Sequence, residues 1–214
     1  MYKIHSIQIG KVITEGDPES RHVTEKQWTS AFRKQPVCGP VAVSSIGIDG
    51  DFVADTKHHG GPDKAILCYP LKHYEDWANE HPELTFAGGG FGENLTLDGM
   101  SESDVCIGDR LVTSGCEFQV SQPRQPCWKI ARRWQVKSMT KEVAQTGRTG
   151  FYVRVLRGGT LQPGENVEIA DRPNSAWSVS RANDILFGRE VDRAAVMELM
   201  AIPELSNEWK ASIA

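Results

Sequence analysis

The chain has 214 residues, a formal charge of -4, 39% hydrophobic and 24% charged residues, which is typical of a globular protein with one sizeable core and a smaller appendage. This charge excludes nucleic-acid binding by bulk electrostatics, which requires a basic face. No apolar run is long enough to cross a bilayer or to form a signal peptide, so we expect no membrane contact and a cytoplasmic location.

The five cysteines are an odd number without tight spacing, so they do not predict a disulfide framework. No Cys-x-x-Cys pair occurs, and a structural zinc site is therefore not expected. Cys38, Cys68, Cys106 and Cys116 lie in or next to strand-like runs, which indicates structural roles. Cys127 differs from them, because prolines and basic residues flank it.

Short apolar runs separated by glycine turns follow one another along most of the chain. Such runs, with few interrupting helices, predict a mainly β protein arranged as a closed or nearly closed barrel. The polar, aperiodic stretch 14–30 is predicted to be a loop. The expected strands are 2–12, 40–48, 65–69, 94–97, 110–113, 116–120, 150–156 and 165–169.

Helices are expected to interrupt this β pattern in a few places. Pro70 is predicted to open the first helix, because Leu71, Tyr74 and Trp77 then lie on one face. Two more helices are expected at 129–136 and 138–146.

A change to a helical pattern near Pro173 predicts two domains, a β-barrel at 1–172 and a three-helix domain at 173–214. Three short helices bury little apolar area alone, so this domain is expected to cover the barrel or a second subunit of a homodimer. The expected helices end at Gly188, Met200 and Ile213, and they start at Ser178 or Ser180, at Asp192 and at Pro203.

Polar loops carry the candidate chemistry, and three of them are expected to converge. Gly60 and Gly61 let the first loop adopt positive φ or approach a ligand closely. Arg148, between Gly147 and Gly150, can offer a guanidinium fork to a phosphate. Loops of this kind bind polar ligands through backbone amides and a few side chains. The three loops are 57–64, 89–94 and 122–129.

The third loop places Cys127 between Pro126 and Trp128, with Arg124 and Lys129 nearby. Proline fixes φ and cannot donate to a sheet ladder, so the chain is expected to leave its strand as a stiff loop that aims the thiol at one point. The two basic residues favour the thiolate, which attacks electrophiles and binds soft metals. This setting favours a functional cysteine over an inert core cysteine.

Four motifs follow one another in order along the chain. They are His58-His59-Gly60-Gly61-Pro62-Asp63-Lys64, Phe91-Gly92-Glu93-Asn94-Leu95, Ile107-Gly108-Asp109 and Pro123-Arg124-Gln125-Pro126-Cys127. Together they resemble the MOSC domain, named for the C-terminal domain of molybdenum cofactor sulfurases, over residues 3–169. The chain is most similar to the bacterial members that confer resistance to 6-hydroxylaminopurine and carry a small C-terminal three-helix domain.

The resemblance implies a MOSC-type β-barrel with short interrupting helices that binds the molybdenum cofactor, molybdopterin with Mo, and does not use pyridoxal phosphate. It also implies an oxidoreductase that reduces N-hydroxylated substrates, 6-hydroxylaminopurine and amidoximes among them, to amines and so detoxifies mutagenic base analogues. The implied electron donor is a flavoprotein reductase.

The resemblance carries roles over to individual residues. Cys127 becomes the ligand of the metal and a catalytic residue. His58 and His59 become catalytic candidates, because a histidine titrates near physiological pH and can supply the proton that helps water leave. Which basic residue meets the cofactor's phosphate is not fixed. The cofactor-binding candidates are Arg124, Lys64, Asn94, Gly60, Gly61, Arg148, Arg21 and Lys34.

Other hypotheses are weighed against this one. A zinc-dependent base deaminase is rejected, because its second cysteine would fall at Ile130. A thiol hydrolase would use Cys127 activated by His58 or His59. The main alternative is a non-catalytic carrier of the molybdenum cofactor or of a persulfide sulfur, which no sequence feature excludes.

Overall fold

The chain folds into short strands and short helices in the computed structural model, which describes residues 1–57 and 59–213. The strands are β1 (Tyr2–Gly10), β2 (Ile13–Glu15), β3 (Trp28–Ser30), β4 (Lys34–Pro36), β5 (Val41–Ser44), β6 (Gly47–Ile48), β7 (Ile66–Pro70), β8 (Leu95–Asp98), β9 (Arg110–Val112), β10 (Glu117–Pro123), β11 (Phe151–Arg157), β12 (Gly159–Leu161) and β13 (Asn166–Asp171). The helices are α1 (Lys72–Glu80), α2 (Lys129–Trp134), α3 (Met139–Thr146), α4 (Val179–Leu186), α5 (Arg193–Ala201) and α6 (Asn207–Lys210), and a 3₁₀ turn covers Pro62–Lys64.

A closed barrel is formed by the strand order β13-β9-β10-β11-β7-β8-β1, because β1 pairs with β8 on one side and with β13 on the other. The β7–β8 pair is parallel, and the remaining barrel pairs are antiparallel. Closure leaves no barrel strand with an open edge. The prediction of a mainly β protein built on a barrel is therefore confirmed.

Strands β10 and β11 show how the sequence fills the barrel and aims its loops. Val120 faces Val153 across the pair, and both side chains are fully buried. The register then shifts between Val120 and Gln122. A bulge of this kind bends a strand and redirects its end. Here the bulge lies directly before the loop that carries Cys127.

The C-terminal helices share the core of the barrel. Trp177, Leu199 and Trp209 are buried in the same hydrophobic cluster as the barrel residues Ile4 and Val120. A helical unit of this size gains its stability from such packing, because it buries too little area alone. The boundary at residues 172 and 173 stays a prediction, as does the homodimer.

A second, aromatic cluster lies under α1, α2 and the glycine-rich loop 88–92. The ring of Phe91 stacks on Tyr69 with centroids 4.7 Å apart, and it lies 5.8 Å from Trp134 of α2. Trp77 of α1 donates from Nε1 to the Tyr69 hydroxyl over 2.7 Å. Large buried rings bring much of the stabilising apolar area in a small core. This cluster fixes α2, and hence the loop before it.

Two predicted elements in the first fifty residues were wrong. The stretch 14–30 contains a strand pair, β2 with β3, in which Ile13 pairs with Ser30. The side chains of β2 are exposed or half-buried, so they show no apolar alternation. The run 40–48 is two strands, β5 and β6, because the chain turns at Ser45 and Ile46.

Two helix starts were also misplaced. Pro70 is the last residue of β7, where it pairs with Leu97, and α1 starts at Lys72. The last helix starts at Asn207 and not at Pro203, because the Ser206 hydroxyl accepts the N–H of Trp209 over 3.1 Å and so caps the helix there. The expected caps Ser178 and Asp192 are confirmed at α4 and α5. No helix in the described part of the chain is long and apolar enough to cross a membrane.

Candidate functional site

One cleft collects most of the predicted site residues. It has a volume of about 760 Å³, including its open mouth, and its walls come from the segments 30–34, 51–54, 59–67, 92–94 and 124–129. The predicted residues that line it are Lys34, His59, Gly60, Lys64, Asn94, Arg124 and Cys127. Their roles in binding or catalysis stay predictions, but the structure brings them together.

Residues 124–128, here called the cysteine loop, hold Cys127 at the cleft with a partly exposed side chain. The N–H of Arg124 donates to the Gly150 carbonyl over 3.1 Å. The Cys127 carbonyl accepts from the N–H of Ile130 and the Thr140 hydroxyl, both over 3.1 Å. The loop is thus tied to the barrel and to α2 and α3, which leaves the thiol little freedom to move.

The other cysteines lie in different surroundings. Cys68, Cys106 and Cys116 are buried, and burial raises the pKa of each thiol above its ordinary value. Cys38 is exposed. These four cysteines do not line the cleft, which agrees with the structural roles predicted for them.

Arg124 is a buried cation that lines the cleft. Its side chain is 3% exposed, and Nη2 donates to the Phe91 carbonyl over 3.3 Å. Nη1 is buried without a hydrogen-bond partner among the described residues. A buried guanidinium with an unused donor costs free energy unless a ligand satisfies it. Arg124 is therefore poised to bind an anion.

Lys129 adds a second buried cation, which was predicted only as a neighbour of the cysteine. It is 6% exposed, lines the cleft, and places Nζ 5.9 Å from the centroid of the Trp128 ring. A cation–π contact at this distance is weak, and no carboxylate among the described residues pairs with the ammonium group. The sequence signal for Lys129 is its place two residues after Cys127, on the first turn of α2.

Lys34 lies in the cleft wall and is bound to a carboxylate. Its ammonium group pairs with Asp51, and both side chains are nearly buried. Burial lowers the pKa of Lys34, and the charge of Asp51 opposes this change. Asp51 also accepts the N–H of Gly10 over 2.7 Å. A contact between Lys34 and a cofactor would have to compete with this pair.

Asn94 uses its side-chain amide to join three segments of the wall. Its Oδ1 accepts the N–H of Leu67 over 3.1 Å, and its Nδ2 donates to Asp51 over 2.8 Å and to the Gln8 carbonyl over 3.3 Å. The amide group is thus largely satisfied within the protein. Asn94 positions Asp51, and a direct contact with a cofactor stays a prediction.

His59 lies between cations. Burial and the charges of Lys129, Arg124 and Lys64 together lower its pKa to about 4, against the opposing charge of Asp55. The ring is therefore neutral at physiological pH and donates only from its N–H group. This differs from the expectation of a histidine that titrates near pH 7. His58, the other catalytic candidate, lies outside the described residues.

The loop 59–64 is built on positive φ angles and ion pairs. Gly60 has φ +78, and a Cβ there would lie 3.3 Å from Val53, so only glycine fits without strain. Gly61, with φ +83, precedes the 3₁₀ turn and does not line the cleft. Lys64 pairs with Glu208 of α6 over 2.6 Å.

Besides Gly61, two more predicted cofactor ligands are not brought to the cleft. Arg148 forms a two-point pair with Glu80 and stacks over Trp77, with its guanidinium carbon 4.4 Å from the ring centroid. Arg21 is exposed in the segment between β2 and β3. Neither residue lines the cleft. The structure gives Arg148 a packing role. The glycines that flank it in the sequence do not indicate this role.

Two further residues at or beside the cleft have no strong sequence signal. Tyr152 of β11 lines the cleft, and burial raises its pKa to about 12, so its hydroxyl is a neutral donor. Glu208 of the helical region lines an adjoining hollow instead of the cleft, and its side chain is 62% exposed. Periodicity assigns Tyr152 to a strand and Glu208 to a surface helix, and neither pattern points to a site.

The donor set limits what metal chemistry the chain supplies by itself. The described residues contain no group of three His, Cys, Asp or Glu side chains that could hold a metal ion. Cys127 offers one soft ligand. Among the described residues, a metal at this cleft would find the Cys127 thiol but no set of three protein ligands.

The fold and the cleft define a class, namely β-barrel proteins that present one cysteine and several cationic side chains to an open cleft. The MOSC domain model matches residues 55–168, and the model of the YiiM-like, 3-alpha helix domain matches residues 177–214. The chain belongs to the MOSC domain family. The resemblance predicted from the four motifs is confirmed.

Known proteins extend this match to the whole chain. Protein YiiM of Escherichia coli is 34% identical over 84% of this chain and 81% of that protein. A protein named Reductase from Gibberella moniliformis is 36% identical over 82% of this chain, which spans 32% of that longer protein. The crystal structure of YiiM from Geobacillus stearothermophilus has a TM-score of 0.81 and 35% identity, and the match covers all of both chains.

Proposed function

We propose that this protein is a molybdenum-cofactor-dependent reductase that converts N-hydroxylated compounds, such as 6-hydroxylaminopurine and amidoximes, to amines. One observation carries the proposal: Cys127 opens into a cleft where the buried cations Arg124 and Lys129 have no ion-pair partner among the described residues. Unpaired buried charges are costly, and a bound anion offsets the cost. A thiol beside an anion site suits a phosphorylated cofactor that carries a soft metal.

The residues present fit such a cofactor. Arg124 keeps a buried Nη1 atom for a phosphate oxygen, and Lys129 adds a second positive charge. Gly60 leaves space at the cleft wall that a side chain would fill. Cys127 would supply the soft ligand from the protein. When bound, the cofactor would supply the two-electron redox chemistry that these side chains lack.

The proposed reaction consumes two electrons and two protons: R–NH–OH becomes R–NH₂ and water, so the N–O bond breaks and the nitrogen is reduced. The protein orients the substrate and holds protons near the departing oxygen. Tyr152 can donate from its neutral hydroxyl, and His59 can donate from a neutral ring N–H. A bound anion would raise the pKa of His59 and so increase the fraction of the ring that carries a second proton to donate.

Relatives and chemistry support the proposal from two sides. The family match and a relative named Reductase favour an enzyme, while the cleft favours an anionic cofactor beside a thiol. We further propose that the protein acts in the cytoplasm, receives its electrons from a flavoprotein reductase, and detoxifies mutagenic base analogues.

The test uses protein purified from a host that makes molybdopterin. We expect about one molybdenum per chain, and sustained reduction of 6-hydroxylaminopurine and benzamidoxime with an artificial electron donor. Protein from a host unable to make molybdopterin is the control, and it should be inactive. Molybdenum-loaded protein that transfers its load once, without turnover of either compound, would instead support a cofactor or persulfide carrier.

A further inference from the structure

A second hollow adjoins the cleft at Cys127. It has a volume of about 530 Å³, including its mouth, and is here called the second lobe. His59, Lys64, Cys127 and Tyr152 line both the cleft and the second lobe. The thiol therefore stands at the border of two spaces, which is the arrangement that a reaction between a bound cofactor and a separate substrate requires. The lobe is completed by Gln122, Gln125, Pro126 and Glu208.

The helical region contributes Glu208 to the second lobe. Hydrogen bonds before and after Glu208 in the sequence connect α6 to the barrel. The Ser206 hydroxyl donates to Gln122 Oε1 over 2.5 Å, and Gln125 Nε2 donates to the Ser212 hydroxyl over 2.7 Å. Trp209 is buried in the shared core. These contacts fix α6 beside the lobe, and the largely exposed carboxylate of Glu208 is anchored there by its pair with Lys64.

The two spaces differ in charge. Lys34, Arg124 and Lys129 line the cleft and do not line the second lobe. The lobe receives the carboxylate of Glu208, which pairs with Lys64 through Oε1, while Oε2 accepts no hydrogen bond from the described residues. Its other polar groups are Lys64, the Gln122 and Gln125 amides, the Tyr152 hydroxyl, the His59 ring and the Cys127 thiol. The cleft therefore suits an anion, whereas in the lobe the charges of Lys64 and Glu208 balance, and Oε2 of Glu208 is left to accept an N–H group of a ligand.

We propose that the second lobe binds the substrate of the reductase, and that Glu208 selects compounds with an N-hydroxyamidine unit by accepting their N–H groups. This inference rests on the proposed function. Amidoximes contain that unit, and 6-hydroxylaminopurine contains it where N1, C6 and the exocyclic nitrogen meet. Reduction of an amidoxime makes an amidine, which is more basic and becomes a cation. A carboxylate side chain binds this cation more strongly than a neutral amide side chain does. Glu208 then distinguishes substrates by their hydrogen-bond donors and charge.

The test compares benzamidine, a cation at neutral pH, with benzamide, which has nearly the same shape but no charge. Calorimetry on the molybdenum-loaded protein should show tighter binding of benzamidine. Glu208→Gln should weaken benzamidine binding about tenfold and leave benzamide binding nearly unchanged. The KM for benzamidoxime should rise more than kcat falls. Glu208→Asp, which keeps the carboxylate, should restore part of the preference.

Glu168→Gln is the matched control, because Glu168 is an exposed carboxylate on β13 away from both spaces. It should leave both affinities unchanged. Equal preference for benzamidine in Glu208→Gln and wild type would overturn the inference, even if the wild type reduces benzamidoxime steadily. The proposed function fails on a different result, namely a wild-type protein that carries molybdenum yet reduces no N-hydroxylated compound.

Discussion

The cysteine loop and the loop 147–150 lie side by side, since the N–H of Arg124 donates to the carbonyl of Gly150. In sequence the two loops look alike, because each places one arginine among residues that restrict or free the backbone, prolines in the first loop and glycines in the second. In the structure, Arg148 is paired twice with Glu80, whereas Arg124 is more deeply buried and keeps Nη1 unused. The comparison teaches that the partner of an arginine, and not its flanking residues, separates a packing role from a binding role.

The strongest test of the cysteine loop removes its sulfur. Cys127→Ser should abolish steady-state reduction of benzamidoxime, because a hydroxyl is a poor ligand for a soft metal. The free energy of unfolding should change by about 0.5 kcal/mol or less, since the side chain is partly exposed and packs little. Turnover assays and urea unfolding measure the two effects.

Cys68→Ser is the control for this change. Cys68 is 1% exposed in the barrel core, so a hydroxyl there should cost about 1–3 kcal/mol of stability while leaving activity per folded molecule intact. A Cys127→Ser protein that loses stability as Cys68→Ser does would show that Cys127 serves packing and not chemistry.

The second test exchanges the unused cation of the cysteine loop for an apolar side chain of similar length. Arg124→Met should lower the molybdenum content at least about tenfold, because an anion loses a charge-assisted partner. The cofactor-free protein should gain about 1 kcal/mol of unfolding free energy, because a buried donor without a partner is removed. Elemental analysis and urea unfolding check both expectations, and equal molybdenum content in mutant and wild type would contradict the assignment.

Most of the barrel could be predicted because apolar alternation and glycine turns report buried strands. The hairpin β2–β3 could not be predicted in this way, since the strand Ile13–Glu15 has no buried side chain. The start of α6 was misplaced because Pro203 is a good first residue of a helix. The Ser206 side chain, three residues after Pro203, caps the helix and so sets its start.

Only part of the site could be predicted, and the physical reason is similar. Motifs along the chain predict Cys127 and Arg124, because the relevant residues are neighbours in sequence. They do not report the pair of Arg148 with Glu80, 68 residues away, or that of Lys64 with Glu208, 144 residues away. Contacts between distant segments depend on how the barrel closes and how the helices dock, which local patterns do not determine.

The third prediction concerns the pKa of His59, which reports the charge around the cysteine loop. Its pKa of about 4 lies below the ordinary value of 6.5, because burial and nearby cations disfavour the charged ring. Well above pH 6.5 the ring is neutral in both the folded and the unfolded protein, so it adds no pH dependence to the stability. Between pH 6.5 and 4 the unfolded chain binds the proton more readily, so stability falls as pH falls.

NMR titration of the His59 ring should therefore show a midpoint near 4, and saturating pyrophosphate should move that midpoint upward. His59→Gln should flatten the loss of stability between pH 6.5 and 4. A midpoint near 6.5 in the free protein would mean that the cations do not act on this ring, and the electrostatic description of the cleft would fail.

The smallest effect is expected at the loop 147–150, and it completes the comparison of the two arginines. Arg148→Met removes the pair with Glu80 and the stacking on Trp77, which should cost about 1 kcal/mol or less because Glu80 is largely exposed. Hydrogen bonds from Arg148 hold the pKa of Glu80 below its ordinary value, so that pKa should rise in the mutant. Molybdenum content and turnover should match the wild type. A loss of molybdenum as large as that in Arg124→Met would show that both arginines serve the ligand, and the distinction between paired and unpaired guanidinium groups would no longer identify the binding residue.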